Sequence, residues 1–242
     1  MPHSGRGISE ATTVQLVLWD IDHTLIATRG VGREIFGACF EQVTGQVMKK
    51  QAAVDGMTEP VIFRETAKLH GIDSDRSMFE AFARCSGEQH LMRASELRER
   101  GHALPGAATA LAAIAGLDGV VQTVVTGNIR PVAEIKLGTF GLDGHIRFPC
   151  GGYGEDDDER AELVRIAIRR TSQALNTPIA ADDVLLIGDT PADVTAGLDN
   201  GVRVVAVGSG RSSTSELREA GATTVVAGLE DLDPLLRTLS RR

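Results

Sequence analysis

The sequence predicts an α/β fold: a parallel sheet with helices on both faces, interrupted by an inserted helical cap. Three observations carry this. Short β-branched runs alternate with amphipathic helical patterns over most of the chain. Two carboxylates, Asp20 and Asp22, follow directly on the first apolar run. About a hundred residues of mostly helical pattern then separate the first strand from the second, too many for one crossover connection.

Met1 to Thr13 is Gly/Ser-rich and has no apolar stretch, so it reads as a disordered leader rather than a signal peptide. The first strand is expected at Leu16–Trp19. It runs into Asp20-Ile21-Asp22-His23-Thr24-Leu25. Ligands of open α/β sheets bind beyond the carboxyl ends of the strands, and residues i and i+2 of a strand share a side. Asp20 and Asp22 can therefore address one metal or one substrate group. A turn, with Thr24 capping a helix, would use the same residue types.

The helical insert is expected over residues 30–100, with helices at Gly32–Val43, Pro60–Leu69, Ser77–Ser86 and Gln89–Arg100. The core then comprises residues 14–29 and 101–242. A hinge falls within Ala27 to Gly30, and Leu104-Pro105-Gly106 marks the return. Gly56-Met57-Thr58-Glu59-Pro60 lies between two of the insert helices, where Thr58 is also placed to cap the next helix.

The core resumes with a helix at Ala107–Ala115 and a strand at Val121–Val125. Thr126-Gly127-Asn128 follows, before a helix at Val132–Phe140. A small hydroxyl residue, a glycine and a helix start form a phosphate seat, although an ordinary βα turn has the same make-up. A short strand is expected at Ile146–Phe148. Arg160 heads the helix Ala161–Ala174, where it is either a fixed cation for the site or a solvated surface residue. After the strand Val184–Ile187 comes Gly188-Asp189-Thr190-Pro191-Ala192-Asp193. Asp189 can share a cation with Asp20, Asp193 can orient a neighbour, and Thr190 with Asp193 also resembles a capping box. The chain ends on a helix Ala192–Leu198, a strand Val202–Val207, a helix Ser215–Ala220, a strand Thr223–Val226 and a helix Asp231–Thr238.

Composition narrows the function classes. Net charge is −8 with no long basic run, which disfavours nucleic acid as the partner. No window approaches a membrane span. Cys39, Cys85 and Cys150 are widely spaced without a Cys-x-x-Cys, and read as reduced thiols of a cytoplasmic protein.

Asp-x-Asp-x-Thr-Leu, Thr-Gly-Asn, a cation heading a helix, and Gly-Asp-Thr-x-x-Asp occur here in that order. The combination resembles the haloacid dehalogenase-like (HAD) hydrolase superfamily, within it the phosphoglycolate phosphatase-like group with a helical cap. The likeness runs from about Leu16 to Leu239. Two positions depart from the pattern: His23 stands where the family most often has Gly, and Arg160 where Lys is commoner.

The resemblance implies a HAD-like Rossmannoid core and a Mg²⁺-dependent phosphomonoesterase acting on a small phosphorylated metabolite, as a monomer or homodimer. Asp20 would be the nucleophile and Asp22 the general acid and base, with a raised pKa. Mg²⁺ would be held by Asp20, Asp189 and the backbone carbonyl of Asp22, with Asp193 behind them. Thr24, Thr126, Gly127, Asn128 and Arg160 would bind the phosphoryl group. Met57 and Thr58, on the cap loop, would select the substrate.

Rival readings are a sugar-phosphate mutase or a phosphonate hydrolase of the same superfamily, the latter needing a cap lysine: Lys49, Lys50 or Lys68. A metal-binding regulatory module without turnover is the third. Asp22 argues against a dehalogenase, which needs no second acid.

Overall fold

The computed structural model describes residues 14–240; the expected leader lies outside them. In chain order, β1 (Gln15–Trp19) and β2 (Ile26–Ala27) precede four helices, α1 (Val31–Thr44), α2 (Glu59–Leu69), α3 (Arg76–Met92) and α4 (Ala94–Arg100). Then come β3 (His102–Ala103), α5 (Ala107–Ala115), β4 (Val120–Thr126), α6 (Arg130–Thr139), β5 (Gly152–Tyr153) and α7 (Arg160–Leu175). The chain continues through β6 (Val184–Gly188), α8 (Pro191–Asp199), β7 (Arg203–Val207), α9 (Thr214–Glu219), β8 (Thr224–Val226) and α10 (Asp233–Ser240).

The main sheet has the order β5-β4-β1-β6-β7-β8, and every pair in it is parallel. Strand alternation builds both faces at once. Val17, Trp19, Leu185, Ile187 and Val205 pack with α5, α6 and α10, whereas Leu16, Leu18 and Leu186 pack with α7 and α8. Strands buried on both sides explain the nearly continuous apolar runs. Trp19 Nε1 donates to Gln122 Oε1 at 3.0 Å, and Gln122 Nε2 donates to the Leu111 carbonyl at 2.9 Å, so the polar atoms inside the first face are satisfied.

The central strand β1 lies between β4 and β6. Connections leave these strands in opposite directions, so their carboxyl ends open onto a switch point of the topology. The motifs beginning at Asp20, Thr126 and Asp189 all emerge there.

Helices α1 to α4 have their own apolar cluster, which includes Ile35, Phe36, Phe40, Phe63, Phe82 and Leu97. Chain passages into and out of this helical insert pair as an antiparallel ladder, Ile26 with Ala103 and Ala27 with His102. Glu34 on α1 accepts from Arg93 and Arg100, fastening α1 to the segment that returns to the core.

Three expectations need correction. Ile146–Phe148 is not a strand: tight 3₁₀ turns at Asp143–His145 and Phe148–Cys150 flank Ile146, and the edge strand is β5. Pro149 suits such a turn better than a ladder. Helix α3 runs on past Ser86 to Met92, so Gln89 and His90 belong to it rather than to the next helix. Finally, Cys39 and Cys85 are not separate thiols but a disulfide between α1 and α3. Their 46-residue separation gives no spacing signal; packing of the two helices brings them together. Cys150 is a buried free thiol.

Candidate functional site

Asp20 leaves β1 with its backbone N–H donating to the Ile187 carbonyl of β6 at 2.9 Å, and is 6% exposed. His23, three residues on, has φ 64°. A left-handed conformation explains why glycine suits this position, and histidine is among the side chains that tolerate it. The His23 carbonyl accepts from Ser209 Oγ at 2.6 Å. In the same loop, a Cβ on Gly210 would lie 1.8 Å from Asp189 Oδ2, so only glycine fits there. The glycine-rich turn after β7 thus braces the first and last acidic motifs.

Arg160, the first residue of α7, reaches across to both of them. Its Nη2 donates to Asp20 Oδ1 and its Nε to Asp193 Oδ1, each at 2.6 Å. The arginine is 8% exposed, which removes the surface-residue reading. A planar fork can serve two carboxylates in this way; a lysine offers one point charge. Asp193 has a further task. With Thr190 it forms a reciprocal capping box at the start of α8, so the structural and electrostatic readings of this motif are both realised.

Asp20, Asp189 and Asp193 each offer an oxygen, and these atoms lie within 4.8 Å of one another. Burial raises the Asp20 pKa to about 7, with Arg160 pulling against it and Asp193 and Asp22 adding to the rise. Burial and the neighbouring Asp20 and Asp193 raise Asp189 further, to about 9. Arg160 is already engaged by Asp20 and Asp193. This buried oxygen cluster is therefore short of positive charge, which suits a hard divalent cation. Asp20 and Asp189 fit as its carboxylate ligands, because both oxygens of Asp193 are taken by Arg160 and Thr190.

Thr24 does not reach the cavity. It is fully buried, and its hydroxyl donates to Asp189 Oδ1 at 3.2 Å, with Asp20 Oδ2 at 3.5 Å. It orients carboxylates rather than meeting a phosphoryl group.

Asp22 behaves differently from the expectation. Burial would raise its pKa, but the charge and hydrogen bond of Lys136, helped by Asn128, outweigh this and hold it below the usual value. Lys136 Nζ lies 2.9 and 2.7 Å from the two oxygens of Asp22 and 2.7 Å from Asn128 Oδ1. Asn128 Nδ2 donates to Asp22 Oδ2 at 2.7 Å. The Asp22 carboxylate is thus turned to the α6 side, away from the three-aspartate cluster.

Thr126 accepts from Asn128 N at 3.3 Å and from Asn128 Nδ2 at 2.8 Å, which leaves its own O–H to donate elsewhere. Gly127 meets the insert: a Cβ there would lie 2.1 Å from the Met57 carbonyl. The Gly127 carbonyl in turn accepts from Glu59 N at 2.8 Å. The loop before α2 therefore sits directly on the Thr126–Asn128 turn. Together the core and the insert enclose a cavity of about 680 Å³, lined among others by Asp20, Asp22, Thr126, Arg160, Asp189 and Met57. Thr58 does not line it; the residue is 1% exposed and its hydroxyl donates to the Asp158 carbonyl at 3.4 Å.

Among the cavity residues that sequence reasoning missed are Lys136, Glu59 and His90. A signal existed for Lys136, a charge on the buried stripe Val132, Ala133, Leu137 of α6. Glu59 stands between Thr58 and Pro60, in a loop read only for its neighbours. Burial raises its pKa to about 7. His90 was assigned to the wrong helix. Lys49, Lys50 and Lys68 are exposed and lie outside the cavity. Among the described residues, no helix is long and apolar enough to cross a membrane.

A family model described as haloacid dehalogenase-like hydrolase matches residues 17–197. No curated protein matches the chain at a significant level. Among solved structures, an assigned beta-phosphoglucomutase from Bacteroides vulgatus is similar over 96% of this chain and 93% of its own, with TM-score 0.66 at 18% identity. A hydrolase from Pseudomonas syringae is similar over 94% of this chain and 100% of its own, with TM-score 0.66 at 19% identity. A predicted phosphoglycolate phosphatase from Haemophilus somnus is similar over 93% and 99%, with TM-score 0.63 at 15% identity. At these identities the likeness establishes the fold.

Proposed function

The chain belongs to the haloacid dehalogenase-like hydrolase family, and on that premise we propose that it is a Mg²⁺-dependent phosphomonoesterase working through an aspartyl-phosphate on Asp20. The observation that carries this is the placement of Asp20. It is a buried carboxylate at a strand end, hydrogen-bonded to Arg160, beside Asp189 and open to a cavity that Thr126 also lines.

Asp20 and Asp189 would hold Mg²⁺, with the backbone carbonyl of Asp22. The ion supplies charge neutralisation between the carboxylate nucleophile and the phosphate dianion. The chain's own groups do the rest. Asp20 attacks phosphorus in line, forming the P–O bond to its carboxylate as the P–O bond to the alcohol breaks. Arg160 fixes the nucleophile and adds positive charge where the phosphoryl oxygens gather. Thr126 donates its free O–H to one of them.

The leaving alkoxide takes a proton from the Asp22–Lys136 pair, which holds one transferable proton between carboxylate and ammonium. In the second step a water attacks phosphorus, its proton returns to that pair, and Asp20 is released. Arrangement as a salt bridge favours Asp22 as the base of the second step. Helices α1 to α4 act as a cap over residues 30–100, with Met57 against the substrate and Thr58 holding the cap loop to Asp158.

The rival readings keep less support. A phosphonate hydrolase needs a cap lysine in the site, and the three candidates are exposed. A mutase shares the core residues, and its test is transfer of phosphate to a second hexose phosphate instead of water. Phosphate release from a panel of small esters, with Mg²⁺ and with EDTA, tests the proposal. Metal-dependent release supports it; absence of release from every ester contradicts it.

A further inference from the structure

The insert contributes one buried group that the mechanism above leaves unused. His90, near the end of α3, is 3% exposed and borders the cavity. Its Nδ1 lies 2.8 Å from the Ser86 carbonyl one turn earlier. A carbonyl oxygen can only accept, so Nδ1 carries the proton and Nε2 is left as an acceptor. Among the described residues this Nε2 has no hydrogen-bond partner. Burial and the nearby Lys136 lower the His90 pKa to about 4, so the ring stays neutral over the ordinary pH range.

A buried acceptor without a donor costs free energy, and a native site normally supplies one. In the structure no cavity residue donates to it. Lys136 spends its N–H groups on Asp22 and Asn128. Glu59, which also lines the cavity, takes the Ile129 N–H at 3.3 Å and makes no hydrogen bond to His90. Arg29, Arg33 and Arg211 stand exposed at the mouth. Asp22 and Lys136 both act on the His90 ring through space, so His90 belongs to the side of the cavity where the leaving oxygen would take its proton.

We propose that His90 is a specificity-determining residue, its Nε2 accepting a hydrogen bond from a second hydroxyl on the alcohol that leaves. The inference rests on the phosphomonoesterase reading and narrows it to hydroxyl-bearing alcohols. A carboxylate in the same place would bring acceptor against acceptor at His90. A site built to satisfy a buried acceptor discriminates strongly against the analogue that lacks the donor.

The test compares kcat/KM for 2-hydroxyethyl phosphate, ethyl phosphate and phosphoglycolate, with Mg²⁺. The wild type should prefer 2-hydroxyethyl phosphate to both others by about tenfold or more, the size of one satisfied buried acceptor. In His90→Phe, which keeps a ring but loses the acceptor, the hydroxyethyl-to-ethyl ratio should fall to near one. His90→Gln, which restores an acceptor oxygen, should recover part of it. Should the Phe variant misfold, the wild-type ratio and the Gln variant decide. A wild type that does not discriminate, one that favours phosphoglycolate, or a Phe variant that keeps the ratio would overturn the assignment while leaving the phosphatase standing. Absence of release from all three esters overturns both.

Discussion

Lys136 grips both oxygens of Asp22, at 2.9 and 2.7 Å, from a helix that follows it by more than a hundred residues. The same ammonium holds Asn128, so one cation ties the acidic loop after β1 to the turn after β4. This contact decides how Asp22 is charged. It also makes Lys136 the group on which the proposed proton transfers turn. Lys136→Met should lower kcat for alkyl phosphates at least about a hundredfold, the low end of what general acid–base groups contribute. The loss should shrink for aryl phosphates, whose leaving groups need no proton. Steady-state rates on the two ester types check this; equal losses would make Lys136 a purely structural ion pair.

Arg160 bridges Asp20 and Asp193 with two different nitrogens. Removing it leaves two buried carboxylates unpaired, a change that usually costs about 3–5 kcal/mol. Arg160→Ala should therefore lose both activity and stability, whereas Arg160→Lys should keep far more of each. Melting curves beside turnover rates separate the two effects. Similar behaviour of the variants would show that charge at this position is dispensable.

Asp189 illustrates the reverse case. Its pKa is raised to about 9 by burial beside Asp20 and Asp193, so its ionisation opposes folding when no cation is bound. With a raised folded pKa, its contribution is complete below the unfolded value near 4 and is lost as pH rises toward 9. In EDTA at pH 8, Asp189→Asn should melt above the wild type, by about 2–4 °C for each kcal/mol relieved. Adding Mg²⁺ should raise the wild-type melting temperature and leave the variant unmoved. An equal Mg²⁺ response in the two proteins would take Asp189 out of the metal site.

His90 carries the opposite sign. Its folded pKa is lowered to about 4 from an ordinary 6.5. The unfolded chain therefore binds a proton in that window that the folded chain refuses, and stability falls as pH drops from about 6.5 to about 4. The loss at this one site is on the order of 3 kcal/mol at full extent. Urea denaturation at pH 7 and pH 4.5 should show a smaller drop for His90→Phe than for the wild type. Identical drops would mean that His90 is protonated as readily in the fold as out of it.

The disulfide between Cys39 and Cys85 joins two helices of the insert. A loop of this length is worth about 4 kcal/mol in the chain-entropy account. A thiol assay on denatured, unreduced protein should find one reactive cysteine, Cys150, rather than three. Reduction should loosen the insert before the core. Three thiols in freshly purified protein would return the pair to the reduced state expected in a cytoplasm.

Much of the sheet was legible because its strands are buried on both faces. Leu16–Trp19 and Val184–Ile187 have no other use for so continuous an apolar run. Asp20, Asp189 and Arg160 were legible because each stands where a strand ends or a helix begins. Lys136 and His90 were not, since each is a polar residue within a helix, and only tertiary structure, the packing of α3 on α6 and the contact of Lys136 with Asp22, turns them inward. The Cys39–Cys85 pairing depends in the same way on which faces of α1 and α3 meet. The role of Gly127 was only half visible: the sequence pointed to close approach by a ligand, and the structure adds the Met57 carbonyl.

The central claim is that Asp20 becomes phosphorylated, and chemical trapping tests it most directly. Wild-type protein would be mixed with Mg²⁺ and its best ester, quenched within one turnover, and reduced with borohydride before peptide mass spectrometry. An acyl phosphate is reduced to the alcohol, so the account predicts that mass change at Asp20 alone, and none in Asp20→Asn. Burst release of the alcohol with no modification at Asp20 in any quench would contradict it, and would assign phosphoryl transfer to a different acceptor.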